Sequence, residues 1–123
     1  MASSFYNLNI WKKGFQLLKE IYKLTSKYPN EEKYNLTSQT RSSANSIIAN
    51  IAEAHGRYYF ADKIRVLYQS RGEVEEIRSH LIVGYTLKYI TKEGFNFLNK
   101  EYEGLAKGIS SYVESLRKQK KKN

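Results

Sequence analysis

The 123-residue sequence has no cysteine and one proline, Pro29. Without cysteine there is no disulfide framework and no thiolate metal site, so a reducing, cytoplasmic setting is expected. One proline and seven scattered glycines are too few breaks for a many-turned β architecture, and they favour helices. The longest apolar stretches, such as LIVGY, span only a few residues. A membrane-crossing helix needs about 20, so no membrane partner is expected. The opening MASSFYNLNIW has no basic region followed by an apolar run, and a signal peptide is not expected. Only two histidines are present, His55 and His80. Glu76 and His80 are four apart, whereas a di-iron bundle uses Glu-x-x-His pairs three apart, so no metal site is expected. The sequence has no Gly-x-Ser-x-Gly elbow, Walker loop or Gly-x-Gly-x-x-Gly turn. Glu73, Glu75 and Glu76 read as a solvated face. No positive signal for an enzyme or a cofactor remains.

What the chain does have is charge and periodicity. Hydrophobic residues make up 41% and charged residues 27%, the balance of a folded globular chain. Net charge is +9. Arg117, Lys118, Lys120, Lys121 and Lys122 contribute more than half of it. A basic protein attracts polyanions, nucleic acid above all, although a lysine-rich end can also serve only to solubilise.

Four segments carry helical spacing. Over 7–28, Leu8, Trp11, Phe15, Leu18 and Tyr22 form one apolar stripe, and Ile10, Gly14, Leu17, Ile21, Leu24 and Tyr28 form a second beside it. Pro29 disfavours helix at the residue before it. Over 36–56 the apolar line is Leu36, Thr40, Ala44, Ile47 or Ile48, Ile51 and Ala54 or His55. Asn35 or Thr37 is the expected N-cap, and Gly56 the expected left-handed terminator. Over 60–89 the line is Phe60, Ile64, Leu67, Val74, Ile77, Leu81 and Tyr85. Over 92–116, after Thr91 as N-cap, Phe95, Leu98, Tyr102, Leu105, Ile109, Tyr112 and Leu116 keep unbroken steps of three and four. Short links predict one all-α domain over 1–116, an up-down-up-down antiparallel four-helix bundle. Residues 117–123 have no apolar partner and are expected to be disordered.

The stretch SIIANIAEAHGR stands apart. Ser46, Asn50, Glu53 and Arg57 share one side of the second helix, and Gln39 with Ser42 or Ser43 extends that side backwards. A Glu53–Arg57 pair on a surface contributes only about 0.2–0.5 kcal/mol. A polar packing seam, against another helix of this chain or of a second copy, accounts for the pattern better. Asn50 and Glu53 are then expected to be buried and hydrogen-bonded.

These residues resemble a known family, the four-helix-bundle proteins encoded in intervening sequences of bacterial large-subunit ribosomal RNA genes. The family's Leu-x-x-Trp-Lys-x-Ala-like opening corresponds to Leu8, Trp11, Lys12 and Gly14. Ile21, Tyr22 and Pro29 match the end of its first helix. Leu36, Thr37 and Gln39 match its Leu-Thr-x-Gln. Ser46, Ile47, Asn50, Ile51, Ala52, Glu53, Gly56 and Arg57 match Ser-Ile-x-x-Asn-Ile-Ala-Glu-Gly-x-Gly-Arg. Arg71, Gly72, Val74, Glu76 and Ile77 match a third-helix element. The sequence departs from the pattern at Ile48, where proline is frequent, at Ala54, where glycine is usual, at His55, where an aromatic is common, and at Glu73, where a small serine is usual. The resemblance implies a ring-like homopentamer. It also implies kinship with the accessory variability determinant of diversity-generating retroelements, a basic pentamer that engages RNA and a reverse transcriptase. The packing motif is then Gln39, Ser46, Asn50, Glu53, Arg57, Arg71 and Glu76.

The functional expectation is a non-catalytic, oligomeric, nucleic-acid-binding bundle, with RNA favoured over DNA. Candidate contacts are Arg41, Arg57, Lys63, Arg65, Arg117, Lys118, Lys120, Lys121 and Lys122. The sequence has no RNP-like aromatic motif, zinc finger or helix-turn-helix signal, so contacts to phosphate are expected rather than base readout. The competing expectation is a scaffold for a protein partner.

Overall fold

A computed structural model of the chain describes residues 4–122, with side chains to Lys120. It contains four helices, α1 (Asn9–Thr25), α2 (Leu36–Gly56), α3 (Phe60–Thr86) and α4 (Lys92–Lys122), and short 3₁₀ turns at Phe5–Asn7 and Asn30–Glu32. There is no strand among the described residues.

Side-chain contacts fix the topology. Gly14 lies against Ile48, and Arg41 donates to Thr25 Oγ1, so α1 and α2 run antiparallel. Ser70 donates to the Ile47 carbonyl, and Lys63 to that of His55, which sets α3 against α2 in the opposite sense. Arg78 reaches Asn99, and Arg117 reaches Tyr68, across antiparallel α3 and α4. Lys13 pairs with Glu101, and Gly108 lies near Ile10, which closes α4 onto α1. This is the up-down-up-down bundle that the periodicity predicts.

The core follows the expected lines. Ile21, Ile47, Ile51, Leu67, Val74, Ile77, Leu81 and Ile109 are fully buried. On α4, Leu98, Tyr102, Leu105, Ile109 and Leu116 face inward, and Val113 takes the inner place that the spacing gave to half-buried Tyr112. Tyr85 leaves the α3 line: it is 39% exposed and stacks on Phe95 at 5.1 Å.

Helix ends differ most from expectation. α1 stops at Thr25 rather than Tyr28. Thr25 Oγ1 and Ser26 Oγ donate to the carbonyls of Ile21 and Lys23, and Arg41 reaches the carbonyl of Tyr22. These bonds satisfy the last turn, which otherwise lacks partners. Asn35 is the N-cap of α2, but its side chain makes no capping bond. Glu32 Oε1 accepts from the Leu36 amide instead. Gly56 is not left-handed; no glycine has positive φ among the described residues. The left-handed position is Lys88, at φ 68°. It ends α3 in a Schellman arrangement, with the Tyr89 amide donating to Gly84 and the Lys88 amide to Tyr85. Thr91 is the expected N-cap of α4 and accepts from the Gly94 amide at 3.0 Å.

Helix α4 runs past the expected end at 116 and continues to Lys122. Lysine and arginine are good helix formers, and cations near a helix C-terminus interact favourably with its dipole. Arg117 also ties the last turns to Glu114 and Tyr68. Asn123 and the side chains of Lys121 and Lys122 lie outside the described residues.

Candidate nucleic-acid interface

The basic end of α4 packs beside the three-residue link from α2 to α3. That link, Arg57 to Tyr59, is extended, with Arg57 at φ −74°, ψ 147° and Tyr59 at φ −86°, ψ 139°. So short a connection cannot fold its side chains back into the core. Tyr58 is 84% exposed and Tyr59 67%. Their rings meet edge to face, 4.9 Å apart and 88° between planes. Together with Phe60, Ala61, Asp62 and Lys120 they line an open depression of about 640 Å³.

A second cluster lies farther along α3. Arg71 and Arg117 hold their guanidinium carbons 5.9 and 5.8 Å from the centre of the Tyr68 ring, within the range of a cation–π contact. Arg117 also donates to the Tyr68 hydroxyl at 2.8 Å. Arg65 precedes Tyr68 by three residues and so lies on the same side of α3. Lys120 follows Arg117 by three on α4. The link, α3 and α4 therefore share one end of the bundle, where cations alternate with tyrosines.

The nine candidate contacts divide. Arg65, Lys118 and Lys120 are exposed and make no ion pair or hydrogen bond among the described residues. Arg117 is exposed but engages Glu114 and Tyr68, and its pKa is raised by those two bonds. Arg57 pairs with Glu53 one turn back. Lys63 and Arg41 are spoken for in another way. The Lys63 ammonium donates to the His55 carbonyl at 2.9 Å, at the C-terminus of α2, and burial lowers its pKa. Arg41 bonds Thr25 and Tyr22 and covers the Tyr22 ring at 4.4 Å, at the C-terminus of α1. Both complete the ends of neighbouring helices. Lys121 and Lys122 have side chains outside the described residues.

The polar stripe is not a seam within the chain. Ser46 and Asn50 are half-buried, and Gln39, Glu53 and Arg57 are exposed. The expected burial of Asn50 and Glu53 therefore does not hold in the single chain. Glu53 keeps 47% of its side-chain surface and bonds Arg57. The reason is packing: Thr40, Ser43, Ala44, Ile47, Ile48, Ile51 and Ala54 occupy the buried face of α2, and the stripe lies outside it. Arg71 lies over Tyr68, and exposed Glu76 interacts with Glu73 and His80, so neither joins the stripe. Burial, then the neighbouring Glu76, raises the Glu73 pKa, the added charge that the family's small serine avoids.

The sequence reading missed Ser70 and the Tyr58–Tyr59 pair. Ser70 is fully buried and donates to the Ile47 carbonyl at 2.8 Å, the one hydroxyl that joins the mid-sections of α2 and α3 among the described residues. An adjacent pair of tyrosines between two helices signalled the second feature, but helical spacing does not cover a link. Among the described residues no group of histidine and carboxylate side chains could hold a metal ion, and no helix is long and apolar enough to cross a membrane.

A family model for the 23S rRNA-intervening sequence protein matches residues 6–111. The chain belongs to the 23S rRNA-intervening sequence protein family. A similar solved structure is that of a protein of unknown function from the S23 ribosomal protein family of Bacteroides thetaiotaomicron. It is 27% identical, with a TM-score of 0.79, and the match covers 85% of this chain and 95% of the other. A comparison with curated proteins finds no match. Neither the family nor this neighbour indicates an enzymatic activity. The family match ends at residue 111, so the basic end of α4 lies beyond the matched region of this 23S rRNA-intervening sequence protein.

Proposed function

We propose that this chain is a non-catalytic, oligomeric bundle that binds nucleic acid through the basic end where the α2–α3 link meets α4. One observation carries the reading: Arg65, Lys118 and Lys120 are exposed and unpaired beside Arg71 and Arg117. Unpaired surface cations have their full charge available to phosphate, whereas the cations on Glu53 and on the helix ends do not. RNA is favoured over DNA on the resemblance to the retroelement accessory proteins. Binding should be weakly sequence-selective, because the exposed, unpaired side chains named here are cations suited to phosphate, which carries no sequence information.

The test is affinity for a structured RNA and for duplex DNA at several salt concentrations, with the intact chain and with a chain ending at Arg117. Stopping there keeps the Tyr68 contact. Removing Lys118, Lys120, Lys121 and Lys122 is expected to weaken binding about tenfold, roughly 1.4 kcal/mol. It should also flatten the salt dependence, since each phosphate neutralised on duplex DNA contributes about −0.9 to the log–log slope. Absence of binding by the intact chain at low salt would refute the reading.

The oligomer is the second element, with a pentamer preferred on resemblance. Phe15 and Tyr22 on α1 are 40% and 46% exposed, and Trp11 stacks on Phe15 at 5.0 Å. An aromatic strip of this kind on a soluble bundle favours an interface. Light scattering at micromolar concentration is expected to give a mass several times the 14.4 kDa of one chain; a lone monomer would end this part of the proposal. A scaffold for a protein partner is favoured instead by Ile82, Val83 and Leu87, which are 53%, 42% and 48% exposed near the end of α3.

A further inference from the structure

We infer that the depression between the α2–α3 link and α4 is a stacking site for an unpaired nucleobase, with Tyr58 and Tyr59 as the ring platform and Lys120 as the phosphate contact. The inference rests on the nucleic-acid reading and assigns it a specific site and a strand preference. Three observations support it.

The first is the exposure of the rings. Tyr58 and Tyr59 leave 84% and 67% of their surface open. A large aromatic left so exposed gains little from burial within its own chain. Tyr34 and Tyr22 are covered by Lys33 and Arg41, Tyr68 by Arg71 and Arg117, and Tyr85 is stacked on Phe95. Tyr6, 54% exposed and edge to face with Phe5, is also without a cation, but it does not line the depression beside Lys120. Tyr58 and Tyr59 contact each other edge to face, and no cation covers either ring among the described residues. An edge-to-face pair leaves ring faces free, and a π-face is what a base stacks on.

The second is the charge around the depression. Lys120 lines it, and Arg117 and Lys118 precede Lys120 on the same helix. Cations beside open aromatic faces are the combination that holds single strands, in which the backbone follows the charge and the bases take the rings. Asp62 lines the same depression. A carboxylate there repels a phosphate, so the neutral base is the part of a nucleotide suited to the interior, with the phosphate at the lysine.

The third is shape. The depression is open and about 640 Å³, and two rings from an extended link cannot follow a helical groove. Paired bases are stacked on their own neighbours and do not offer a free face. The site therefore selects unpaired over duplex nucleic acid.

The experiment uses the full chain and two oligonucleotides of equal length, one single-stranded RNA carrying 2-aminopurine and one RNA duplex. Stacking on tyrosine should quench the 2-aminopurine emission when the intact protein binds. The double variant Tyr58→Ala and Tyr59→Ala is expected to lose about tenfold in single-strand affinity, the size of a lost base–aromatic stack. Its duplex affinity should change less than about twofold, because phosphate contacts persist. Phenylalanine at both positions should restore single-strand binding, since the ring and not the hydroxyl is used. Quenching absent on binding, or an alanine variant that weakens both nucleic acids equally, overturns the stacking site while leaving the nucleic-acid reading in place. Binding of neither oligonucleotide by the intact protein overturns both. Both tyrosines are exposed, so circular dichroism of the variants should match the parent. Absence of 2-aminopurine quenching by the intact protein overturns the site even if a variant misfolds.

Discussion

Replacing Gly14 with alanine is expected to destabilise the bundle, and replacing Ile48 with alanine in the same chain to relieve much of that loss. Gly14 is buried against α2. A methyl group at this position would lie 2.5 Å from Ile48 Cγ2 and 3.6 Å from Leu105 Cδ2. The first distance is a clash. Ile48 Cγ2 is bonded directly to Cβ, and a β-branched side chain in a helix has little freedom at χ1 to swing it away. Inserting a methylene-sized group into a packed core costs about 1–3 kcal/mol. The better helix propensity of alanine returns at most about 1 kcal/mol. Ile48→Ala alone opens a cavity and costs about 2–5 kcal/mol, part of which the alanine at 14 would fill. Chemical and thermal unfolding of both single variants and the double variant measures the coupling. Losses that simply add would mean that the two helices adjust independently and that Gly14 does not set their spacing. This chain has glycine with isoleucine, the smaller residue facing the larger.

That contact shows what a sequence carries and what it withholds. The positions of all four helices follow from apolar spacing, because a helix buries one side and repeats every 3.6 residues. Leu98, Tyr102, Leu105, Ile109 and Leu116 were legible for this reason, and they are buried. The ends were less legible. Glycine is the usual left-handed terminator, so Gly56 was the natural expectation. Lysine at φ 68° carries no such signal, and α3 ends at Thr86, before left-handed Lys88, where the Lys88 and Tyr89 amides find the carbonyls of Tyr85 and Gly84. The basic candidates divided for a similar reason. Composition places a charge on a helix, but only the packed bundle brings Lys63 and Arg41 to the ends of neighbouring helices, where Lys63 meets the His55 carbonyl and Arg41 the Thr25 hydroxyl and the Tyr22 carbonyl. The stripe from Ser46 to Arg57 was visible as a pattern. Its direction was not, because a polar row beside isoleucines has the same spacing whether it faces a neighbour or solvent. The Tyr58–Tyr59 pair belongs to no periodic element, and its exposure is a property of the short link.

High pH should unfold the protein through its buried tyrosines. Tyr28 and Tyr102 keep 7% and 1% of their surface, and neither hydroxyl has a hydrogen-bond partner among the described residues. Burial pushes the Tyr28 phenol up to about 12, with Glu32 and Tyr89 adding to the effect, and burial pushes Tyr102 upward as well. Well below pH 10 the phenols hold their protons in both states and the contribution to stability is whole. Above it the unfolded chain loses those protons while the folded chain retains them, so stability falls as pH rises toward and through the folded values. For Tyr28 the decline therefore falls between the ordinary phenol value and about 12. Lys63 acts with the opposite sign, since its lowered pKa makes the folded chain release a proton first, but it lies closer to solvent than either phenol. Equilibrium unfolding followed by circular dichroism between pH 8 and about 12 should therefore give a flat region and then a steep decline. Tyr28→Phe, which removes the ionisable hydroxyl and leaves the ring, should move the decline to higher pH, and adding Tyr102→Phe should move it further. The same variants should be at least as stable as the parent at neutral pH, because an unpartnered buried hydroxyl costs about 1–3 kcal/mol. An unchanged alkaline profile in the double variant would show that the two phenols do not control the transition.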